Sequence, residues 1–429
     1  MLMRAVIVIT DMKHESEFLG LCSSAGINIL GKIRQNVRDP NPRYYIGSGK
    51  LEELKEVCKN LKPDIVVFDV DLRPSQIYRL SKEISLEIWD RLRLVLEIFR
   101  KRASTPEAKL QVELANLRYQ IPLIKEYINL TKRGEHPGFM GGGEYAVADY
   151  LEMVKRRMKR IKEELTIIQR RNESRYKIRK ESGFILVGIA GYANAGKSSI
   201  AKVLSGYDFP IDNTMFSTVA TFTKKIKGKH PIIITDTVGF IRNLPVWVIE
   251  AFRTTLKSVY DSDLLLFVVD ISENIKDVYE KISSGIEILG REEIPPTIFV
   301  LNKVDLVKNK GELRDKINFL VEKGILNENN YVPTSAITGE GLNKLIYMIY
   351  ANAKTAKICN VFLDKDDAEF EEKMRFILSK AYIFDYEEDG SKIMLKIGIH
   401  NKTYMALKSQ GLRVESSSGN NGGRVSWLT

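Results

Sequence analysis

Gly191, Gly196, Lys197 and Ser198 stand in the spacing G-x-x-x-x-G-K-[ST], directly after the apolar run 184–190. A buried strand that turns through glycines into a helix makes a cradle for phosphates. Its backbone N–H groups close on the anion, and the helix N-terminus adds its positive dipole. In such a cradle the stretch Gly191, Tyr192, Ala193, Asn194, Ala195, Gly196, Lys197, Ser198 and Ser199 would wrap the polyphosphate. Lys197 would reach the β- and γ-phosphates, and the Ser198 hydroxyl would ligate Mg²⁺.

Further motifs choose among nucleotides. The run 232–239 reads Ile-Ile-Ile-Thr-Asp-Thr-Val-Gly, an apolar strand ending in Asp-x-x-Gly. Asp236 would hold Mg²⁺ through water, Thr237 and Val238 would line the turn, and the Gly239 N–H would meet the γ-phosphate. Asn302, Lys303 and Asp305 form Asn-Lys-x-Asp after a second apolar strand. The Asp305 carboxylate can accept from N1–H and the 2-amino group of guanine; adenine offers neither and leaves polar groups unpaired. Lys303 would lie over the base and Asn302 would brace the loops. Ser335, Ala336 and Ile337 follow a last strand and would set a backbone N–H near guanine O6. In the threonine-rich stretch 215–223, Thr218 is the favoured switch ligand for Mg²⁺, with Thr221 and Thr223 as rivals. Together these motifs point to GTP.

Phe240 follows Gly239, where many signalling GTPases carry a water-orienting glutamine. A benzyl group cannot orient water, so slow intrinsic hydrolysis is expected and something else must complete the site. One candidate is K⁺, held by the Asn194 side chain, which could equally just brace the loop. The other is a macromolecular activator. Lys197, Asn194, Thr218 and Gly239 are thus the candidate catalytic residues.

These side chains need strands to carry them. Candidates are 184–190, 232–236, 264–270, 297–302 and 331–334, separated by helical patterns as in a doubly wound α/β sheet. We expect this P-loop domain to span 182–353. Before it, residues 1–90 read as a small α/β unit, with strands at 6–10, 65–69 and 86–89 and helices at 50–61 and 74–84. The glycines at 47 and 49 lack phosphate-loop spacing and read as a turn into a helix. Residues 91–181 carry two apolar seams. One comprises Leu110, Leu114, Leu117, Ile121, Ile124 and Ile128; the other comprises Val147, Leu151, Val154, Met158, Ile161, Leu165 and Ile168. Joined by a glycine-rich link, they predict a long antiparallel helical hairpin, kinked or interrupted at Pro122. Residues 354–429 read as a small α+β domain ending in a mobile tail.

The chain has 429 residues and a net charge of +11. Residues 91–180 hold 22 Lys/Arg against 11 Asp/Glu, so this segment carries the whole excess. Such a stripe suits nucleic acid or a solvated helix face. Arg156, Arg157, Lys159 and Arg160 lie off the seam and should face solvent or a partner. No apolar run approaches the roughly 18 residues of a membrane span. Cys22, Cys58 and Cys359 are far apart, as expected of plain thiols in a reducing cytoplasm. A monomer is expected.

The order of these pieces resembles the HflX family of GTPases over most of 1–355. The resemblance rests on 45–54 (YIGSGKLEEL), Asp90-Arg91 leading to 97–99, 102–115 (RASTPEAKLQVELA), Gly143-Glu144, and the motifs at 191–198 and 236–242. It implies an N-terminal α/β domain, a hairpin, a GTPase domain and a variable C-terminal domain. It also implies a partner, the large ribosomal subunit, contacted through rRNA by the basic residues of 91–180, and a role in splitting or rescuing ribosomes under stress. The chain departs from the family at the glycine link, 140–144, which lacks the usual arginine and proline, and at the switch, 218–223. Two other readings stand beside it: a regulatory GTP/GDP switch with a protein partner, and ATP-dependent RNA remodelling by the N-terminal domain.

Overall fold

The computed structural model describes residues 3–132, 143–206, 222–227, 231–236, 239–240, 245, 247–248, 253–290 and 294–416. The chain divides into two compact units. The first is built mainly on Met1–Glu173, the second on Ser174–Phe209, Phe222–Thr237 and Lys257–Thr429.

The first unit opens on a four-stranded parallel sheet: β1 (Met3–Ile9), β2 (Ile27–Arg34), β3 (Ile65–Phe68) and β4 (Glu87–Trp89), in the order β2-β1-β3-β4. β1 and β3 read as unbroken apolar runs because both faces are covered by helices, and Ala5 to Ile9 are fully buried. Helix Ser48–Leu61 starts directly after Gly47 and ends where Lys62 takes a left-handed turn. Helix Pro74–Ile84 carries its proline in the first turn, where no N–H is needed. Asp90 caps helix Arg91–Arg102 by accepting the Arg93 N–H at 2.7 Å. Burial pushes the Asp90 carboxyl up to about 7.

Helices Pro106–Lys132 and Gly143–Glu181 form the antiparallel hairpin. Leu114 packs with Ile161 and Leu165, and Ile124 with Val154, so the two seams meet in opposite directions. Of the kink or interruption expected at Pro122, the interruption does not occur: the helix runs through it. Pro122 faces outward, and the seam residues Leu117, Ile121 and Ile124 hold the helix on either side of the missing N–H. Arg157 makes a two-pronged ion pair with Glu113 of the facing helix, at 2.6 and 2.8 Å, while its side chain stays 41% exposed.

The second unit holds a six-stranded sheet: β5 (Ile185–Gly191), β6 (Phe222–Lys225), β7 (Ile232–Asp236), β8 (Leu264–Asp270), β9 (Thr297–Asn302) and β10 (Tyr331–Pro333). Its order is β10-β9-β8-β5-β7-β6, with only β6 antiparallel. From β5 the chain builds outward to β7 on one side and later to β8 on the other. The carboxyl end of β5 is therefore a topological switch point, where open α/β sheets bind ligands.

A third sheet is antiparallel: β11 (Ala356–Asp364), β12 (Tyr382–Asp389), β13 (Lys392–His400) and β14 (Arg413–Ser416), in the order β12-β13-β11-β14. It shares a core with the P-loop domain. Tyr350, on helix Leu342–Asn352, is fully buried against Tyr382 and Phe384. Gly398 makes the room: a Cβ there would lie 2.7 Å from both the Tyr350 and Phe384 rings. The three cysteines are buried and free. Burial raises the thiols of Cys22 and Cys359 to about 12 and that of Cys58 to about 11, so none is a thiolate at neutral pH. Among the described residues, no helix is long and apolar enough to cross a membrane.

Candidate active site

β5 delivers the chain to the switch point fully buried. Gly191 has φ +142°, and a Cβ on it would stand 2.2 Å from the Val268 carbonyl oxygen of β8. The strand therefore needs glycine where it leaves the sheet. The loop passes Tyr192 (buried), Ala193 (half-buried), Asn194 (exposed, φ +64°) and Ala195 (buried) to Gly196. Gly196 has φ +90° and begins helix Lys197–Ser205. A Cβ here would meet Asn302 Nδ2 at 2.2 Å. The second glycine thus leaves room for the asparagine of another motif.

Asn302 ties two loops together. Its Nδ2 donates to the Ala195 carbonyl at 2.9 Å, and its Oδ1 accepts the Ala336 N–H at 3.1 Å. The bracing expected of Asn302 is the arrangement the side chain adopts. Lys197 is buried and its Nζ donates to the Tyr192 carbonyl at 2.7 Å. Burial lowers its pKa to about 8, and the nearby Asp236 only partly opposes this. The Ser198 hydroxyl donates to Asp236 Oδ2 at 2.9 Å across the ends of β5 and β7. Ser199 is half-buried in the first turn of the helix.

On the base side, Lys303 takes φ +67° and starts a short 3₁₀ turn, Val304–Leu306, which presents Asp305 at the surface. The Val304 N–H binds the Thr334 carbonyl at 3.2 Å. The Ser335 hydroxyl oxygen accepts the N–H groups of Ile337 and Thr338 at 3.2 and 3.1 Å, shaping the turn that offers Ala336; Ile337 is 83% exposed. Of the other candidates, Gly239 and Phe240 belong to the first unit and both are buried. Thr223 lies on β6, its hydroxyl 3.4 Å from that of Thr235. Thr218, Thr221, Thr237 and Val238 lie outside the described residues.

Two residues were missed in reading the sequence. Asp270, at the end of β8, holds Lys303 Nζ at 2.6 Å and accepts from the Ser272 N–H at 3.0 Å. Lys316 is buried and donates to the carbonyls of Ile271 and Glu273, at 2.9 and 3.0 Å, bracing the loop after that strand. An acidic residue closing an apolar strand run was the available signal for the first. Asp270→Asn should loosen Lys303 and weaken nucleotide binding about tenfold, the worth of one charge-assisted hydrogen bond, with kcat unchanged. Titration calorimetry with GDP alongside steady-state turnover checks this; unchanged affinity removes Asp270 from the site.

Three family models match in succession: a GTP-binding GTPase N-terminal region over 12–100, a GTP-binding GTPase middle region over 102–179, and a 50S ribosome-binding GTPase over 186–303. The GTPase HflX of Thermococcus kodakarensis is 44% identical over 327 residues, 75% of this chain and 74% of that protein. The chain belongs to the HflX family of GTPases. Another relative, the GTPase HflX of Thermofilum pendens, is 39% identical over 80% of this chain and 82% of its own. A solved GTP-binding protein from Sulfolobus solfataricus, in complex with GDP, is 26% identical, covers 81% of this chain and 98% of its own, and superposes with a TM-score of 0.47. As a member of the HflX family, the chain is a P-loop GTPase that binds GTP and hydrolyses it.

Proposed function

We propose that this HflX-family GTPase works on the large ribosomal subunit, splitting or rescuing ribosomes under stress, with hydrolysis that is slow until the subunit engages it. One observation carries the ribosomal part. Helix Gly143–Glu181 exposes Arg156, Lys159, Arg160, Lys162, Arg170 and Arg171, a cationic row of the kind that binds phosphate backbones, with Lys155 beside it paired to Glu152. The match of 186–303 to a 50S ribosome-binding GTPase model supports the same partner.

Within the site, Lys197 is the group for the β- and γ-phosphates, and Asp305 is the group that selects guanine. Ser198 and Asp236 fit Mg²⁺: a hydroxyl and a carboxylate, both hard oxygen donors, already face each other at 2.9 Å. That ion would neutralise charge developing on the phosphates. Phe240 supplies no group to orient water, which is why an activator is part of the proposal. Asn194, exposed in the loop, is the candidate holder of K⁺.

The test is GTP turnover with and without large subunits, in K⁺ and in Na⁺. Large subunits should raise kcat by at least about tenfold, a lowering of the barrier by roughly 1.4 kcal/mol or more. K⁺ should outperform Na⁺, with Asn194→Ala erasing the difference. Turnover indifferent to the subunits, with no co-sedimentation at low salt, would overturn the ribosomal role. Equal rates in the two cations would remove K⁺ alone.

A further inference from the structure

Helices Arg91–Arg102 and Pro106–Lys132, within the first unit, line a cleft of about 360 Å³. Arg93, Arg100 and Lys109 reach it, together with one carboxylate, Glu113. The charges are not equivalent. Arg100 is bound to Glu97 at 2.6 and 2.8 Å, and Glu113 is bound to Arg157. Each of those pairs is neutral. Neither Arg93 nor Lys109 makes an ion pair at contact distance among the described residues, although the Glu97 carboxylate bound to Arg100 also feels the charge of Arg93.

Arg93 is also held in place. One of its terminal nitrogens donates to Asn116 Oδ1 at 3.1 Å, and its guanidinium lies 5.5 Å from the centre of the Trp89 ring. A guanidinium fixed this way needs little further ordering to take a phosphate. One wall of the cleft is apolar, from Ala103, Val112 and Leu117. The volume lies near the lower end of the roughly 300–1,000 Å³ of small-ligand sites, enough for a single nucleotide but not for a duplex.

We propose that this cleft takes one nucleotide of single-stranded RNA, its phosphate on Arg93 and Lys109 and its base against the apolar wall. The proposal rests on the ribosomal reading above and deepens it by naming an RNA contact separate from the cationic row. Recognition of this kind is sequence-tolerant, because a phosphate and a flat apolar surface are common to every nucleotide.

The test uses the full chain and a short fluorescent oligouridine, titrated by anisotropy over a range of salt. Lys109→Gln and Arg93→Gln should each weaken binding several-fold and lower the slope of log affinity against log salt by about 0.7, the share of one phosphate contact on a single strand. Arg93→Lys should restore the slope while leaving part of the affinity loss. A duplex of equal length should bind all proteins alike. Lys109 is exposed, so its variant stays informative if Arg93→Gln does not fold, and basal GTP turnover without RNA reports folding for each.

Unchanged oligouridine binding in both variants overturns the proposal. So does an equal loss for the duplex, which would mean only a diffuse field, and so does displacement by free uridine monophosphate at the oligomer's own affinity, which would mean a small-molecule site. Large-subunit co-sedimentation of the parent protein is measured in parallel. Its failure sinks the ribosomal reading, whereas the oligomer titration judges the cleft on its own.

Discussion

Lys197→Met should reduce kcat/KM for GTP by about a thousandfold or more, the scale seen when a preorganised charge is removed from developing phosphate or oxyanion charge. The same change should make the nucleotide-free protein more stable. Methionine keeps most of the volume and the apolar stem while deleting an ammonium whose contact is the Tyr192 carbonyl at 2.7 Å. The folded-state pKa of about 8 lies below the ordinary lysine value of 10.5, so folding disfavours the protonated form. That penalty, about 3 kcal/mol, is fully present below pH 8. Between about pH 8 and 10.5 the unfolded chain binds more protons than the folded one, so stability rises with pH there and the penalty disappears. The difference between the unfolding free energies of the parent and Lys197→Met, measured without nucleotide across this range, isolates the lysine from other titrating groups.

Binding should show the reverse dependence. The triphosphate adds negative charge beside Lys197 and raises its pKa, so GTP binding takes up a proton near and above pH 8. Affinity should then fall by about tenfold per pH unit just above 8. Lys197→Met should be flat in that window, while guanine's own N1–H, which ionises at higher pH, affects both proteins alike. Calorimetry in two buffers of different ionisation enthalpy counts the proton. A variant within tenfold of the parent in turnover, or with no change in the stability profile, would refute this account of Lys197.

The site's readability follows from where its constraints act. Gly191 and Gly196 are imposed by atoms 2.2 Å from where a Cβ would sit, and no other residue answers that demand, so their spacing survives as a motif. Asn302 is visible for the same reason, since it occupies the space that Gly196 leaves. Asp270 was not visible because it acts through Lys303, 33 positions away, and carboxylates at strand ends are common. The hairpin was legible because its seams repeat over many turns, and the packing of Leu114 on Ile161 and Leu165 follows directly. β2 was missed although Ile27, Ile29 and Ile33 alternate. Gly31 interrupts the pattern, and its reason is a neighbour distant in sequence: a Cβ there would come 2.9 Å from Leu61. Helix Glu15–Ser24 and the four-residue edge strand β6 were missed for want of a long enough pattern. The docking of the C-terminal sheet rests on Tyr350 meeting Gly398, a fit of shapes that no local periodicity encodes.

Asp305→Asn should exchange the preferred base. The carboxylate offers two acceptors, matched to N1–H and the 2-amino group of guanine. An asparagine keeps one acceptor for N1–H but turns a donor toward the 2-position, where guanine also carries a donor and xanthine carries a carbonyl. GTP affinity should fall by about a hundredfold or more, since two donors then face each other in a partly desolvated site. Xanthosine triphosphate should gain by a comparable factor, and the order of the two nucleotides should reverse. Asp305→Ala should lose the preference altogether, bringing GTP and ATP to within about tenfold of each other. Neither variant should disturb the fold. The residue is exposed, and its turn is set by the backbone of Lys303 at φ +67° and by the Val304 N–H on Thr334. Competition titrations of the three triphosphates against a fluorescent GDP decide the matter. If Asp305→Asn still prefers GTP to xanthosine triphosphate, and Asp305→Ala still rejects ATP, then base selection lies elsewhere in the second unit.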